Sequence, residues 1–131
     1  MSPKSGNRFS DQLTRQRMSA EQQGRRGEAL AALWLQCQLY HIVERRFKTP
    51  VGEIDLIAER SGTTVFVEVK TRRRGQSEAE ALGKVNQQRL IRAAGYFLAR
   101  HPKLAATPLR FDVIFLAPRS WPRHLKNAFI S

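Results

Sequence analysis

The segment VGEIDLIAERSGTTVFVEVKTR, residues 51–72, contains two apolar runs that are interrupted by three carboxylates and a lysine. The charged residues inside the apolar runs are Glu53, Asp55, Glu68 and Lys70. Burying an ionised group is unfavourable unless it is paired or bound to a metal. Grouped carboxylates suit Mg²⁺, which binds one or two of them together with waters and phosphate oxygens. A lysine beside such a metal can hold a water or offset negative charge on a phosphate.

Strand geometry predicts which of these side chains meet. Ser61-Gly62 is a two-residue turn signal that pairs Arg60 with Thr63 in an antiparallel hairpin. Extending that register sets two further pairs opposite each other, Asp55 with Glu68 and Glu53 with Lys70. Directly opposed side chains lie about 5 Å apart at Cβ, so the two carboxylates of the first pair repel unless a cation joins them. The alternative is a cross-strand ladder of ion pairs on a solvated face.

Two polar residues stand on helix faces that otherwise read as apolar. Glu28 shares a stripe with Ala31, Ala32 and Leu35. A first-turn acid that favours the helix dipole is one interpretation, but Glu28 lies far inside the predicted helix. Gln87 begins a stripe of apolar residues on a second helix and is either a satisfied buried amide or a functional contact.

The order of elements predicts an α/β fold, α-β-β-β-α-β-β, with a mixed sheet of about five strands flanked by helices. Residues 1–18 are polar, basic and aperiodic, which predicts a flexible arm, and residues 19–131 form a single domain. Helices are expected over about residues 20–38 and 79–100. Strands are expected within residues 41–50, 52–59, 64–71, 109–118 and 125–131.

Charge is the strongest bulk property of the chain. Its 131 residues contain 23 Lys and Arg against 11 Asp and Glu, a net charge of +12. This excess favours a polyanion partner, most often nucleic acid. The chain has one cysteine, which excludes an internal disulfide, and no apolar run long enough to span a membrane. These features predict a cytoplasmic protein without membrane contact.

The quoted segments resemble a known family. RRGEALAALWL, VGEIDLIAER, VFVEVKTRR, KVNQQRLIRAAGYFL and LRFDVIFL together are similar to the bacterial YraN-type family, a relative of archaeal Holliday-junction resolvases. Asp55 followed by Glu68-Val69-Lys70 also resembles the Asp…Glu-x-Lys core, PD-(D/E)xK, of restriction-endonuclease-like nucleases. The resemblance covers roughly residues 24–131. Many nucleases of that fold have proline before the aspartate, where this chain has Ile54.

The resemblance implies roles for individual residues. Asp55 and Glu68 become metal-binding carboxylates, and Glu28 becomes the helix acid that reaches the same Mg²⁺ or Mn²⁺. Lys70 becomes the catalytic lysine, and Gln87 a polar group near the metal or the substrate. The role of Glu53 stays open, since a pair with Lys70 would compete with catalysis. Asp112 lies either near the site or in a salt bridge with Arg110.

The resemblance and the charge together predict a restriction-endonuclease-like, metal-dependent DNA endonuclease that acts on duplex or branched DNA. The alternatives are a non-catalytic nucleic-acid-binding module on the same fold and a structural protein whose acids pair with local arginines. A homodimer is a hypothesis from the analogy with resolvases. Basic residues expected to contact phosphates, or else to be solvated surface charge, are Arg45, Arg46, Lys48, Arg72, Arg73, Arg74 and Lys84.

Overall fold

The structure is a computed structural model that describes residues 26–72, 75–83 and 85–129. The predicted arm lies outside these ranges, as do Arg73, Arg74 and Lys84. None of the helices in the described residues is long and apolar enough to cross a membrane.

Five strands form one sheet, and their spatial order follows the order of the sequence. All neighbours are antiparallel except the third and fourth strands, which are parallel. The predicted mixed sheet is therefore confirmed. The strands are β1 (His41–Thr49), β2 (Gly52–Arg60), β3 (Thr63–Thr71), β4 (Leu109–Leu116) and β5 (Arg123–Leu125).

The turn between β2 and β3 has the predicted two residues. Ser61 and Gly62 have φ angles of 53° and 82°, the left-handed conformation of a type I′ hairpin turn. Arg60 pairs with Thr63, as the turn signal requires. The register of the hairpin is therefore set by its turn.

In the part of the chain that the structure describes, one helix precedes β1 and three lie between β3 and β4, which corrects one of the predicted helices. Helix α1 covers residues 26–37, α2 covers Glu78–Gly83, α3 covers Gln87–Arg100 and α4 covers Pro102–Ala105. The expectation of a single helix over residues 79–100 is wrong, because Asn86 caps α3 by accepting a hydrogen bond from the Arg89 N–H at 3.0 Å. Helix α4 replaces part of an expected loop, and β5 lies earlier than expected.

Helix α1 covers one face of the sheet. Its Ala31, Ala32 and Leu35 are fully buried. They pack in a core cluster with residues of three central strands, Leu56, Ala58, Val65, Val67, Ile114 and Leu116. Small residues on α1, Ala31 and Ala32, allow its backbone to approach the sheet closely.

Helix α3 covers the other face through Phe97. This fully buried ring meets Phe47 of β1 and Phe66 of β3 edge to face, with ring centroids 5.4 and 5.9 Å apart. Alternation along β2 predicts that Ile54 and Ile57 point to opposite faces, but both pack in this cluster. The β1–β2 ladder is irregular at this point, where Arg46 has a φ angle of 52°.

Asp112 lies inside the sheet at 0% exposure and holds β4, β5 and the segment before β1 together. Arg110 donates two hydrogen bonds of 2.8 Å to its carboxylate, His124 Nε2 donates at 2.6 Å and the Asn127 N–H at 2.9 Å. Arg110 also donates to the Tyr40 hydroxyl. The salt-bridge interpretation of Asp112 is therefore the one observed, and its carboxylate is used within the fold.

Burial alone would raise the pKa of Asp112, but its hydrogen bonds hold it below the usual value. We expect Asp112→Asn to lower the free energy of unfolding by about 3–5 kcal/mol, because Arg110 loses its buried counter-ion. Chemical denaturation measures this change. The control Glu44→Gln removes an exposed carboxylate from β1 and leaves the stability unchanged. Equal stability of both variants would contradict the assignment of Asp112 to the fold.

Candidate metal centre

Asp55 lies where the regular pairing of β2 stops. The β2–β3 ladder ends at the pair Leu56 and Val67. Beyond it, the Val69 N–H donates to Asp55 Oδ2 at 2.8 Å, a side-chain bond in place of a ladder bond. The expected opposition of Asp55 and Glu68 is therefore not a ladder pair, because the strands part at this position.

The neighbouring ladder is also interrupted at Asp55. Pairing of β1 with β2 joins Arg45 to Leu56 and Phe47 to Ile54, and it skips the residues between them. One of these is Arg46, whose left-handed backbone conformation disturbs the strand. The half-buried side chain of Asp55 therefore projects at a break in the sheet.

Three carboxylates meet at this break. Glu28 of α1 and Glu53 and Asp55 of β2 each present an oxygen, and these oxygens lie within 4.8 Å of one another. The side chain of Glu28 is 13% exposed, and that of Glu53 is 37% exposed. The predicted ligands were Glu28, Asp55 and Glu68, and the role of Glu53 was left open. Glu28 and Asp55 are in this group, and Glu68 is not a member of it. The structure gives Glu53 a place beside Glu28 and Asp55 and leaves one side of the group facing solvent.

Arg46 is part of this acidic group. Its Nε lies 2.8 Å from Glu28 Oε2 and 3.7 Å from Glu53 Oε1. The prediction placed Arg46 on a DNA-binding surface, whereas in the structure its guanidinium is directed at carboxylates. The ion pair neutralises part of the charge that burial concentrates here.

Glu68 and Lys70 of β3 lie near Asp55. The Lys70 Nζ lies 3.7 Å from Glu68 Oε1, and the side chains of Lys70 and Glu68 are 32% and 19% exposed, respectively. The charge of Asp55 acts on Glu68. Glu53 pairs with Arg46, so the expected competition between Glu53 and a catalytic role for Lys70 is not the arrangement observed.

Two carboxylates at the site, Asp55 and Glu68, have pKa values above their ordinary ones. Burial raises the pKa of Asp55 to about 6, opposed by the Val69 N–H and reinforced by Glu28 and Glu53. Burial also raises the pKa of Glu68 to about 7, with Asp55 adding to the effect and Lys70 and Arg89 opposing it. The ionised carboxylates are thus destabilised by burial and, to a smaller extent, by one another, and a bound cation would offset this cost.

Helix α3 approaches the site at Arg89, whose charge acts on Glu68. Gln87 is exposed at the first position of α3, and the apolar stripe begins at Leu90. Sequence reasoning missed Arg89, whose side chain passes so close to Gly52 that a Cβ there would lie 2.9 Å from the Arg89 Cδ. The only sequence signal is the glycine before Glu53, whose φ angle of 147° also disfavours a side chain.

The predicted phosphate-binding residues are dispersed. Arg45 and Lys48 of β1 are exposed. Arg72 follows β3, and its guanidinium lies 3.7 Å from Glu78 Oε2 at the start of α2. Among the predicted phosphate-binding residues that the structure describes, Arg46 is the one with an ion pair to the carboxylate group.

The fold and the site define a mixed α/β protein with an acidic centre at a break between strands. The chain belongs to Uncharacterised protein family UPF0102, whose sequence model matches residues 27–116. This range includes the candidate ligands and Lys70.

Three relatives, all called UPF0102 proteins, show how far the similarity extends. The chain is 48% identical to one from Parvibaculum lavamentivorans, over 86% of this chain and 84% of the relative. It is 47% identical to one from Rhodopseudomonas palustris, over 87% and 84%. It is 46% identical to one from Methylorubrum extorquens, over 86% and 88%. Their names state a family and no activity.

The raised pKa values predict a specific dependence of stability on pH. Between about pH 4 and pH 7 the folded state binds more protons than the unfolded state, so the free energy of unfolding falls as pH rises. Asp55→Asn removes one of the opposed charges and can still accept the Val69 N–H. Without metal, we expect this variant to melt higher than the wild type at pH 8, by on the order of 5 °C, and close to it at pH 4.5.

Thermal denaturation in EDTA at both pH values measures the effect. The matched control is again Glu44→Gln, which lacks an exposed carboxylate of β1 and should keep the pH dependence of the wild type. A melting temperature of Asp55→Asn below that of the wild type at pH 8 would contradict the electrostatic description of the site.

Proposed function

We propose that the protein is a metal-dependent DNA endonuclease that hydrolyses phosphodiester bonds. The observation that carries the proposal is the convergence of Glu28, Glu53 and Asp55, with oxygens within 4.8 Å of one another, beside the Glu68–Lys70 pair. The net charge of +12 supports a polyanionic substrate. The resemblance of Asp55, Glu68 and Lys70 to the PD-(D/E)xK core, and of the chain to resolvase relatives, supports this class of reaction.

The residues present fit a divalent cation. Carboxylate oxygens are ligands that Mg²⁺ and Mn²⁺ prefer, and Glu28, Glu53 and Asp55 would hold the ion, with Glu68 next to Asp55. When bound, such an ion lowers the pKa of a water and stabilises negative charge on a phosphate. Four carboxylates here face two basic groups within 4 Å, Arg46 and Lys70, which leaves two negative charges when all are ionised.

Lys70 supplies a positive charge beside the carboxylates. Its ammonium lies 3.7 Å from Glu68, and its partly exposed side chain is within reach of solvent. In the proposed reaction Lys70 orients the attacking water or offsets the charge that develops on the phosphate oxygens. Glu68 holds the Lys70 ammonium at the site. Arg89, whose charge acts on Glu68, is placed to contact the same substrate.

One contact favours a different function. Arg46 pairs with Glu28 at 2.8 Å, so Glu28 already has a counter-ion from the protein. A non-catalytic nucleic-acid-binding module would need no more than this pairing and the surrounding basic residues. The two functions differ in whether the carboxylates contribute to bond cleavage, which a substitution at Asp55 tests.

The test is cleavage of a DNA panel with Mn²⁺: linear duplex, flap, four-way junction and single strand. We expect the wild type to cut duplex or branched DNA and Asp55→Asn to cut at least roughly a hundredfold more slowly, because a metal ligand is lost. Lys70→Gln should also cut slowly while it retains Mn²⁺ binding. Glu80→Gln, which removes an exposed acid of α2, should cut at the wild-type rate.

Two outcomes would contradict the nuclease proposal. Equal cutting by the wild type and by Asp55→Asn would identify a contaminating nuclease. Binding of the DNA panel without cutting in any metal would favour the non-catalytic module. In the first case the carboxylates have no demonstrated role in cleavage, and in the second their role lies in binding or folding.

Measuring the mass of the cleaving species on a four-way junction also tests the proposed homodimer.

A further inference from the structure

A cavity of about 550 Å³ opens beyond the carboxyl ends of β3 and β4. Arg72, which follows β3, lines one side, and residues 117–120, which follow β4, line another. The strands are parallel, with Thr71 paired to Leu116, so their carboxyl ends meet at the same edge of the sheet. Crevices outside the carboxyl ends of parallel strands are common ligand sites in α/β proteins.

The cavity adjoins the end of β3, the strand that carries Lys70. Lys70 pairs with Phe115, one position before the strands end, and Arg72 follows Lys70 by two residues. Two residues of extended chain span about 7 Å. A polynucleotide whose scissile phosphate lies at Lys70 therefore needs only a short stretch of backbone to reach this cavity.

Arg119 has an unfavourable backbone conformation at the edge of the cavity. Residues 117–120 form a turn in which the Ser120 N–H donates to the Ala117 carbonyl, and Arg119 has a φ angle of 59°. Proline at position 118 cannot adopt a positive φ, so the turn is of type II, in which glycine is favoured at the third position. Arginine at that position departs from this preference, and its side chain lines the cavity.

The charge around the cavity is positive. Glu78 interacts with both Arg72 and Arg123, at 3.7 and 2.9 Å, so one carboxylate is shared by two guanidinium groups. Among the ion pairs of the described residues none includes Arg119, whose side chain is exposed. A guanidinium at the opening of a cavity binds phosphate well, because its planar donors match phosphate oxygens.

We propose that this cavity binds a phosphate of the substrate strand next to the scissile one, and that Arg119 contacts it. The inference rests on the proposed function and narrows the substrate to a DNA strand that continues past the cut on the side of Arg72. Arg119 is a binding residue in this arrangement, separate from the carboxylates and Lys70. A terminal nucleotide without that phosphate would lose the contact.

The test is the salt dependence of DNA binding in EDTA, where no cleavage occurs. Fluorescence anisotropy with labelled duplex DNA between about 50 and 200 mM salt gives the slope of log affinity against log salt. We expect Arg119→Gly to reduce the magnitude of this slope by about 0.9, the effect of one phosphate contact in duplex DNA. Glycine suits the positive φ, so the melting temperature of this variant should equal or exceed that of the wild type.

Two control variants separate charge from turn geometry. Arg119→Lys keeps the positive charge and should keep the wild-type slope. Lys103→Ala removes a charge from α4, which lies before the amino end of β4, about 26 Å of strand away from the cavity, and should also keep the slope. An unchanged slope for Arg119→Gly, an equal loss in all three variants, or no DNA binding by the wild type would overturn the proposal.

The experiments distinguish the proposed phosphate site from the proposed nuclease activity, because either can be absent without the other. A reduced slope for Arg119→Gly in a protein that cuts no DNA would keep the phosphate site and remove the nuclease. Cleavage that depends on Asp55, together with an unchanged slope for Arg119→Gly, would keep the nuclease and remove the phosphate site.

Discussion

The hydrogen bond from the Val69 N–H to the Asp55 carboxylate ends regular pairing between two central strands, and the rest of the site depends on it. In a continuous ladder the backbone would take this donor, and the Asp55 side chain would be free to move. Here the carboxylate is oriented and held close to Glu28 and Glu53. The break in the sheet thus supplies both the space and the direction for an acidic centre that two cores, one on each face, keep in place.

Ionising the carboxylates of this centre costs free energy, because they are partly buried and close to one another. Asp55 and Glu68 are partly desolvated near other acids, so their pKa values rise, while Arg46 and Lys70 offset only part of the charge. The buried Asp112 carboxylate of the same sheet differs, because the protein supplies all its hydrogen-bond partners and its pKa is lowered. The carboxylates around Asp55, by contrast, are only partly neutralised. This difference is the physical reason to propose a cation at the Asp55 group and not at Asp112.

Local patterns predicted much of this architecture. The five strands and the hairpin turn follow from alternation and turn residues. The proximity of Glu28 to Asp55 was implied by the family resemblance and not by the residue pattern. The break between α2 and α3 was missed although the sequence carries two signals there, Gly83 at the end of α2 and Asn86 as the N-cap of α3. The positions of Arg46 and Arg89 were not predictable, because they depend on a strand irregularity and on tertiary contact with Gly52.

The central claim is that the carboxylates converge to bind a divalent cation. Electron paramagnetic resonance of Mn²⁺ titrated into the protein at pH 8 measures binding without any requirement for cleavage. We expect saturable binding by the wild type and by Glu44→Gln, and at least a tenfold weaker affinity for Asp55→Asn, because Asp55 belongs to the carboxylate group. Equal affinity of Asp55→Asn and the wild type, or no saturable binding by the wild type, would contradict the claim.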